Sequence, residues 1–196
     1  MKIIGITGGV GAGKSAILSY LKENHGAVIM EADKAGHLVM EPGESCYAKI
    51  LQVFGKEILR EDETIDRGKL GAIVFQDTEL LQRLNEIVHP AVKQKILSEL
   101  TKEQEKKEKK LFIIEAALLL EDHYDEICDE IWYIHTDAAI RAERLRASRG
   151  YDEEKIAGIM ANQKTPEEFR SGCQIMIDNS GEFADTCRQI DKQLGR

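Results

Sequence analysis

The run Gly8-Gly9-Val10-Gly11-Ala12-Gly13-Lys14-Ser15 fits the pattern G-x-x-x-x-G-K-[ST]. Residue types at this spacing do one kind of chemistry. The glycines let the backbone curl until its N–H groups face phosphate oxygens, and a helix starting at the end of the loop adds its positive dipole. The backbone from Gly11 to Ala16 (Gly11, Ala12, Gly13, Lys14, Ser15, Ala16) would form the cradle. Lys14 would reach the β- and γ-phosphates of a nucleotide, and the Ser15 hydroxyl would ligate Mg²⁺.

Other residues could complete such a site. Asp33, in Glu31-Ala32-Asp33-Lys34, follows an apolar run. There it could orient an acceptor hydroxyl and take its proton, or it could cap the helix that follows; Glu31 could assist. Glu115 ends the run Leu111-Phe112-Ile113-Ile114, where an acidic residue could hold Mg²⁺ or be an ordinary surface glutamate. Arg141, Arg144, Arg146 and Arg149 crowd one segment of an acidic chain, which suggests a lid that meets an anion, with Arg144 and Arg149 favoured for that contact. His89-Pro90 interrupts a helical pattern, so a kink or break is expected that could turn His89 toward a pocket or serve structure alone. Asn179-Ser180-Gly181 follows the last apolar run and could meet a nucleotide or start a helix.

Five short apolar runs position these residues: 3–6, 27–30, 111–114, 131–134 and 175–177. Helical patterns separate them, which predicts an α/β fold with a five-stranded parallel sheet between helical layers. The gap between the second and third runs is too long for one crossover. Tyr47, Ile50, Leu51, Phe54 and Ile58 recur at helical spacing, as do Leu80, Leu81, Leu84, Ile87, Val88 and Ala91. Residues of about 42–108 therefore read as a helical insertion into a nucleotide-binding core of 1–41 and 109–196, whose lid spans about 137–170. The charged run 102–110 reads as an exposed helix end or linker.

The chain has 196 residues and a formal net charge of −8. That charge argues against a nucleic-acid partner held by phosphate contacts, and no apolar run approaches membrane-spanning length. Cys46, Cys128, Cys173 and Cys187 lie far apart, as reduced thiols of a cytoplasmic protein would. The start of the chain does not read as a secretion signal. Oligomeric state stays open at this level.

Taken together, these segments resemble the dephospho-CoA kinase family. Gly5-Ile6-Thr7-Gly8-Gly9 leads into the loop as in that family, and Glu31-Ala32-Asp33-Lys34 is similar to its Asp-Ala-Asp segment. Leu84-Asn85-Glu86-Ile87-Val88-His89-Pro90-Ala91-Val92 matches its Leu-Asn-x-Ile-x-His-Pro-x-Val signature. Leu118-Leu119-Leu120-Glu121, Arg144 through Arg149, Gln163 and Asp178-Asn179-Ser180-Gly181 follow in family order. Glu31 and Glu115 stand where the family usually has Asp, Ala117 where it has Pro, and Gln174 where it has Asp.

The resemblance implies a P-loop three-layer fold and ATP-dependent phosphorylation of the ribose 3′-hydroxyl of dephospho-CoA, with Mg²⁺. It implies that Lys14, Asp33, Arg144 and Arg149 act in catalysis and that the Gly11–Ala16 backbone and Asn179 bind ATP. It also implies that Ser15 and Glu115 bind the metal, and that Asp33 and His89 in the insertion bind the acceptor. A nucleoside monophosphate kinase shares the fold. A GTPase-like switch lacks support: Asp33-Lys34-Ala35-Gly36 comes early for its acidic motif, and no N-K-x-D follows. A non-catalytic nucleotide-binding module would not need Lys14, Ser15 and Asp33 together.

Overall fold

The structure is a computed structural model that describes residues 1–106, 108 and 111–195. Five strands, β1 (Lys2–Thr7), β2 (Val28–Glu31), β3 (Leu111–Glu115), β4 (Glu130–His135) and β5 (Ile175–Asp178), form one sheet in the order β2-β3-β1-β4-β5. The sheet is all parallel. Ile6 pairs with Glu115 on one side of β1 and with Trp132 on the other, and His135 pairs with Asp178. This register aligns the carboxyl ends of β1, β3, β4 and β5, where ligands of open α/β sheets bind.

The described chain divides into two compact units, Met1–Ile29 with Lys109–Arg196, and Met30–Glu108. In the first unit, α1 (Lys14–His25) and α9 (Phe183–Gln193) lay Ile17, Leu18, Leu21 and Ile190 over Ile4, Ile6, Ile113, Trp132, Ile134 and Ile177. The opposite face of β1 is also covered, since a side chain on Gly5 would meet Ile131, Leu119 and Cys128. Burial on both faces explains why these strands read as unbroken apolar runs. The remaining helices of this unit are α6 (Ala138–Arg149), α7 (Glu153–Ala161) and α8 (Pro166–Gly172).

The second unit holds α2 (Ala32–Leu38), α3 (Tyr47–Phe54), α4 (Arg67–Gln76) and α5 (Thr78–Glu105). Its core includes Ala35, Ile50, Phe54, Leu70, Val92, Ile96 and Leu100. Asp66 and Asp77 cap α4 and α5 by accepting from Gly68 and Lys69, and from Glu79 and Leu80.

Of the kink or break expected at Pro90, the break is absent: α5 runs through it as one helix of 28 residues. Proline removes one N–H and crowds the preceding turn. The buried Cys46 thiol donates to the Ile87 carbonyl in that turn (3.3 Å), while Val92, Ile96 and Leu100 hold the next turns against the core. Tertiary packing outweighs the local penalty here. Helix α5 also takes in the first half of the charged run 102–110; residues 107, 109 and 110, and the core boundary expected at 109, lie outside the described residues. No helix among the described residues is long and apolar enough to cross a membrane.

Candidate active site

The glycine loop leaves β1 at Thr7 and enters α1 at Lys14. At Gly8 and Gly13 the geometry leaves no alternative to glycine. Gly8 has φ 148°, and a Cβ there would lie 2.6 Å from the Ile134 carbonyl oxygen. Gly13 has φ 82° and caps α1 in a left-handed conformation; a Cβ there would collide with the Asn179 amide. The loop is thus pressed against the ends of β4 and β5, with no room for side chains at these points.

The contacts that hold the loop come from far along the chain. Asn179 is buried; its amide nitrogen donates to the Ala12 carbonyl (2.8 Å), and its oxygen accepts from the buried Thr186 hydroxyl (2.9 Å). The buried Thr136 hydroxyl has the carbonyls of Ala12 (3.1 Å), His135 (2.8 Å) and Asn179 (3.2 Å) within reach. Asn179 was expected at the nucleotide. In this structure one N–H and the oxygen of its side chain brace the loop.

Lys14 Nζ donates to the Gly8 carbonyl (2.7 Å) and lies 3.5 Å from a Glu115 carboxylate oxygen. Both side chains are mostly buried, at 16% and 13% exposed, so Glu115 is not a surface residue. Its place follows from register: Glu115 pairs with Ile6, two residues before the loop. Ser15 stands exposed in the first turn of α1.

Of the four clustered arginines, two reach the loop. Arg144 Nη2 donates to the Asn179 carbonyl (2.9 Å), while its Nη1 is buried with no hydrogen-bond partner among the described residues. That Nη1 lies 3.2 Å from where a Gly13 Cβ would stand. A buried guanidinium N–H left unpaired is costly, and an anion at the loop would satisfy it. Arg141 donates from Nε to the Val10 carbonyl (2.9 Å) and from Nη2 to Gln163 Oε1. Burial pulls Arg141 below the ordinary arginine value, opposed by Tyr133, but a guanidinium stays charged at neutral pH. Arg149 was favoured beside Arg144. It stands exposed at the end of α6 with its guanidinium 5.8 Å from the Tyr151 ring centre, and its described contact is that ring rather than the loop.

In the second unit, Asp33 is exposed in the first turn of α2, and the N-cap position belongs to Glu31. The capping reading of Asp33 is therefore set aside. Glu31 pairs with Lys34 (2.7 Å). His89 is half-buried in the middle of α5.

The donor set suits ATP with Mg²⁺. The orphaned Arg144 Nη1 beside Gly13 fits a phosphate oxygen. Ser15 and Glu115 offer hard oxygen donors, and no cluster of three His, Cys, Asp or Glu forms a metal cage among the described residues. Mg²⁺ in phosphoryl-transfer sites commonly uses one or two protein oxygens and takes the rest from water and phosphate.

The sequence model of dephospho-CoA kinase matches residues 2–185 of this chain. The chain belongs to the dephospho-CoA kinase family. A dephospho-CoA kinase of Shouchella clausii is 34% identical over 193 residues, covering 98% of this chain and 97% of that one. One from Dehalococcoides mccartyi is 38% identical over 192 residues, covering 97% and 96%. The crystal structure of TT1252 from Thermus thermophilus superposes with a TM-score of 0.82 at 26% identity, covering 99% of this chain and 96% of that one. Dephospho-CoA kinases are phosphotransferases that use ATP with Mg²⁺ in the final step of coenzyme A biosynthesis.

Thr136 and the clamping role of Arg141 were not foreseen. Thr136 had a faint signal, a hydroxyl residue directly after a buried strand. Arg141 shares a helix face with Arg144, which marks the pair but not the division of labour between them.

Proposed function

We propose that this chain phosphorylates the ribose 3′-hydroxyl of dephospho-CoA with the residues described above. The backbone N–H groups from Gly11 to Ala16 hold the ATP phosphates. Lys14 leaves the Gly8 carbonyl for the transferring group and neutralises its charge. Arg144 places its second guanidinium nitrogen on a phosphate oxygen. Ser15 and Glu115 hold Mg²⁺, which when bound neutralises phosphate charge. Asp33 orients the acceptor hydroxyl and accepts its proton. A weak carboxylate base suffices because phosphoryl transfer proceeds through a loose transition state that needs little early proton removal.

The observation that carries the reading is the unpaired, buried Arg144 Nη1 beside Gly13. Helices of 42–108, with His89 on α5, form the acceptor-binding insertion, and 137–170 the lid. A cytoplasmic location is part of the reading and is supported by the four free cysteines. A kinase assay with dephospho-CoA and a panel of nucleoside monophosphates tests it. Turnover of dephospho-CoA is expected; turnover of a nucleoside monophosphate with none of dephospho-CoA would overturn it.

A further inference from the structure

Gln163, just beyond α7, has a place at the glycine loop that the reaction as described does not use. Its Oε1 accepts from the Val10 N–H (3.3 Å) and from Arg141 Nη2. Arg141 Nε in turn donates to the Val10 carbonyl (2.9 Å). Two side chains from the helical segment after β4 thus take both backbone polar groups of one loop residue. The amide orientation is fixed by this arrangement, since only an oxygen can face two donors.

Val10 directly precedes the Gly11–Ala16 cradle, so the grip consumes no N–H meant for phosphate. Gly9 makes it possible: a Cβ there would occupy the position of the Arg141 guanidinium. Within the cradle, the Ala12 carbonyl is held by Asn179 and Thr136. The loop is thereby held on both sides of Gly11, at Val10 and at Ala12, whose N–H also donates to the Gly9 carbonyl (3.2 Å).

We infer that Gln163, through Val10 and Arg141, is a positioning residue that keeps the glycine loop in its nucleotide-binding shape before ATP arrives. A loop that visits other shapes binds with an apparent Kd raised by the inverse of the competent fraction. Gln163 therefore contributes to ATP affinity without touching ATP. The inference rests on the reading of the loop as the ATP site and is independent of the acceptor.

The test is calorimetric titration of ATP with Mg²⁺ into wild type, Gln163→Met and Gln163→Glu, with no acceptor present. Gln163→Met keeps the side chain's length and removes the acceptor oxygen; it should weaken ATP binding about tenfold, the scale of one lost charge-assisted hydrogen bond. The thermal midpoint without ATP should fall by only a few degrees, because one bond to the loop is lost while the sheet and its helices keep theirs. Gln163→Glu keeps an oxygen facing Val10 and Arg141 and should return the Kd to within about threefold of wild type. Gly9→Ala, which displaces the guanidinium, should match the Met variant.

If Gln163→Met binds ATP as wild type does, the inference fails. It also fails if Gln163→Glu binds no better than Gln163→Met, because Gln163 would then be giving its N–H₂ to the nucleotide. Should Gln163→Met not fold, Gln163→Ala gives the same comparison. A wild type that binds ATP but leaves dephospho-CoA unphosphorylated would sink the acceptor reading and leave this test standing.

Discussion

Arg144 and Arg141 sit one turn apart on α6 and meet the loop differently. Arg141 spends its donors on Val10 and Gln163, whereas Arg144 keeps a buried nitrogen without a partner. Such an arrangement costs stability until a ligand arrives, a common feature of binding sites. Replacing Arg144 with Met should therefore leave the ligand-free thermal midpoint unchanged or slightly raised. Turnover should fall by about 10³-fold or more, the scale of an arginine on a transferring phosphoryl group, and the midpoint shift produced by ATP should shrink. A large loss of ligand-free stability would mean that the bond to the Asn179 carbonyl is the main role of Arg144.

Asp33 gives a contrasting case. It is exposed, so Asp33→Asn should fold and bind ATP almost as wild type does while losing most turnover with dephospho-CoA. Steady-state rates together with ATP titration check this. Near-normal turnover would remove Asp33 from the role of base.

At the scale of elements, the loop is a connection whose shape is set by strand ends. Thr136 after β4 and Asn179 after β5 both reach Ala12, and their removal should not cost the same. The Asn179 amide nitrogen donates to Ala12, and its oxygen accepts from Thr186. Asn179→Ala thus removes a buried side chain and two hydrogen bonds at once, leaving Ala12 only the shared Thr136 hydroxyl and Thr186 only the Asp178 carbonyl, at about 1 kcal/mol for each bond lost. Thr136 has one proton to share among three carbonyls, and Ala12 keeps its bond from Asn179, so Thr136→Val should lower the thermal midpoint less. Reversal of that order would show that Thr136, not Asn179, is the main brace.

These braces also mark the limit of what the sequence discloses. Strands β1, β3 and β4 were legible because burial on both faces leaves an unbroken apolar run, and the loop because its chemistry is local. The Thr136 and Asn179 contacts with Ala12 span 124 and 167 residues, a separation that no local spacing reveals. At Pro90 the local signal allowed a break, and packing of α5 keeps the helix continuous. Arg144 and Arg149 could both be picked out by residue type, but that Arg144 lies at the loop and Arg149 beside Tyr151 in this structure is visible only in the fold.

For the molecule as a whole, the unit that carries the loop also carries buried groups that ionise in alkali. Burial pushes the Cys128 thiol from an ordinary 9.0 up to about 12, with Asp129 and Asp125 adding to the shift. Burial likewise raises Cys173 to about 11 against the pull of Lys164, and Tyr124 from 10.0 to about 12 with help from Asp122. In the unfolded chain the same thiols ionise near 9.0. Stability from these groups is therefore fully present below pH 9 and is lost as the pH climbs through 11 and 12. Each contributes at most about 1.4 kcal/mol per pH unit over its window, less after solvent screening.

Trp132, the chain's single tryptophan, is fully buried in this unit and reports its unfolding by fluorescence. Its urea midpoint should be flat from pH 7 to about 8.5 and fall steadily toward pH 11. Cys128→Ala with Cys173→Ala lowers the midpoint everywhere by the packing lost, but its decline with pH should be shallower because those two protons no longer differ between folded and unfolded chains. A decline as steep as that of wild type would place the alkaline sensitivity elsewhere, in the chain's net charge of −8 and its growing self-repulsion as lysines deprotonate.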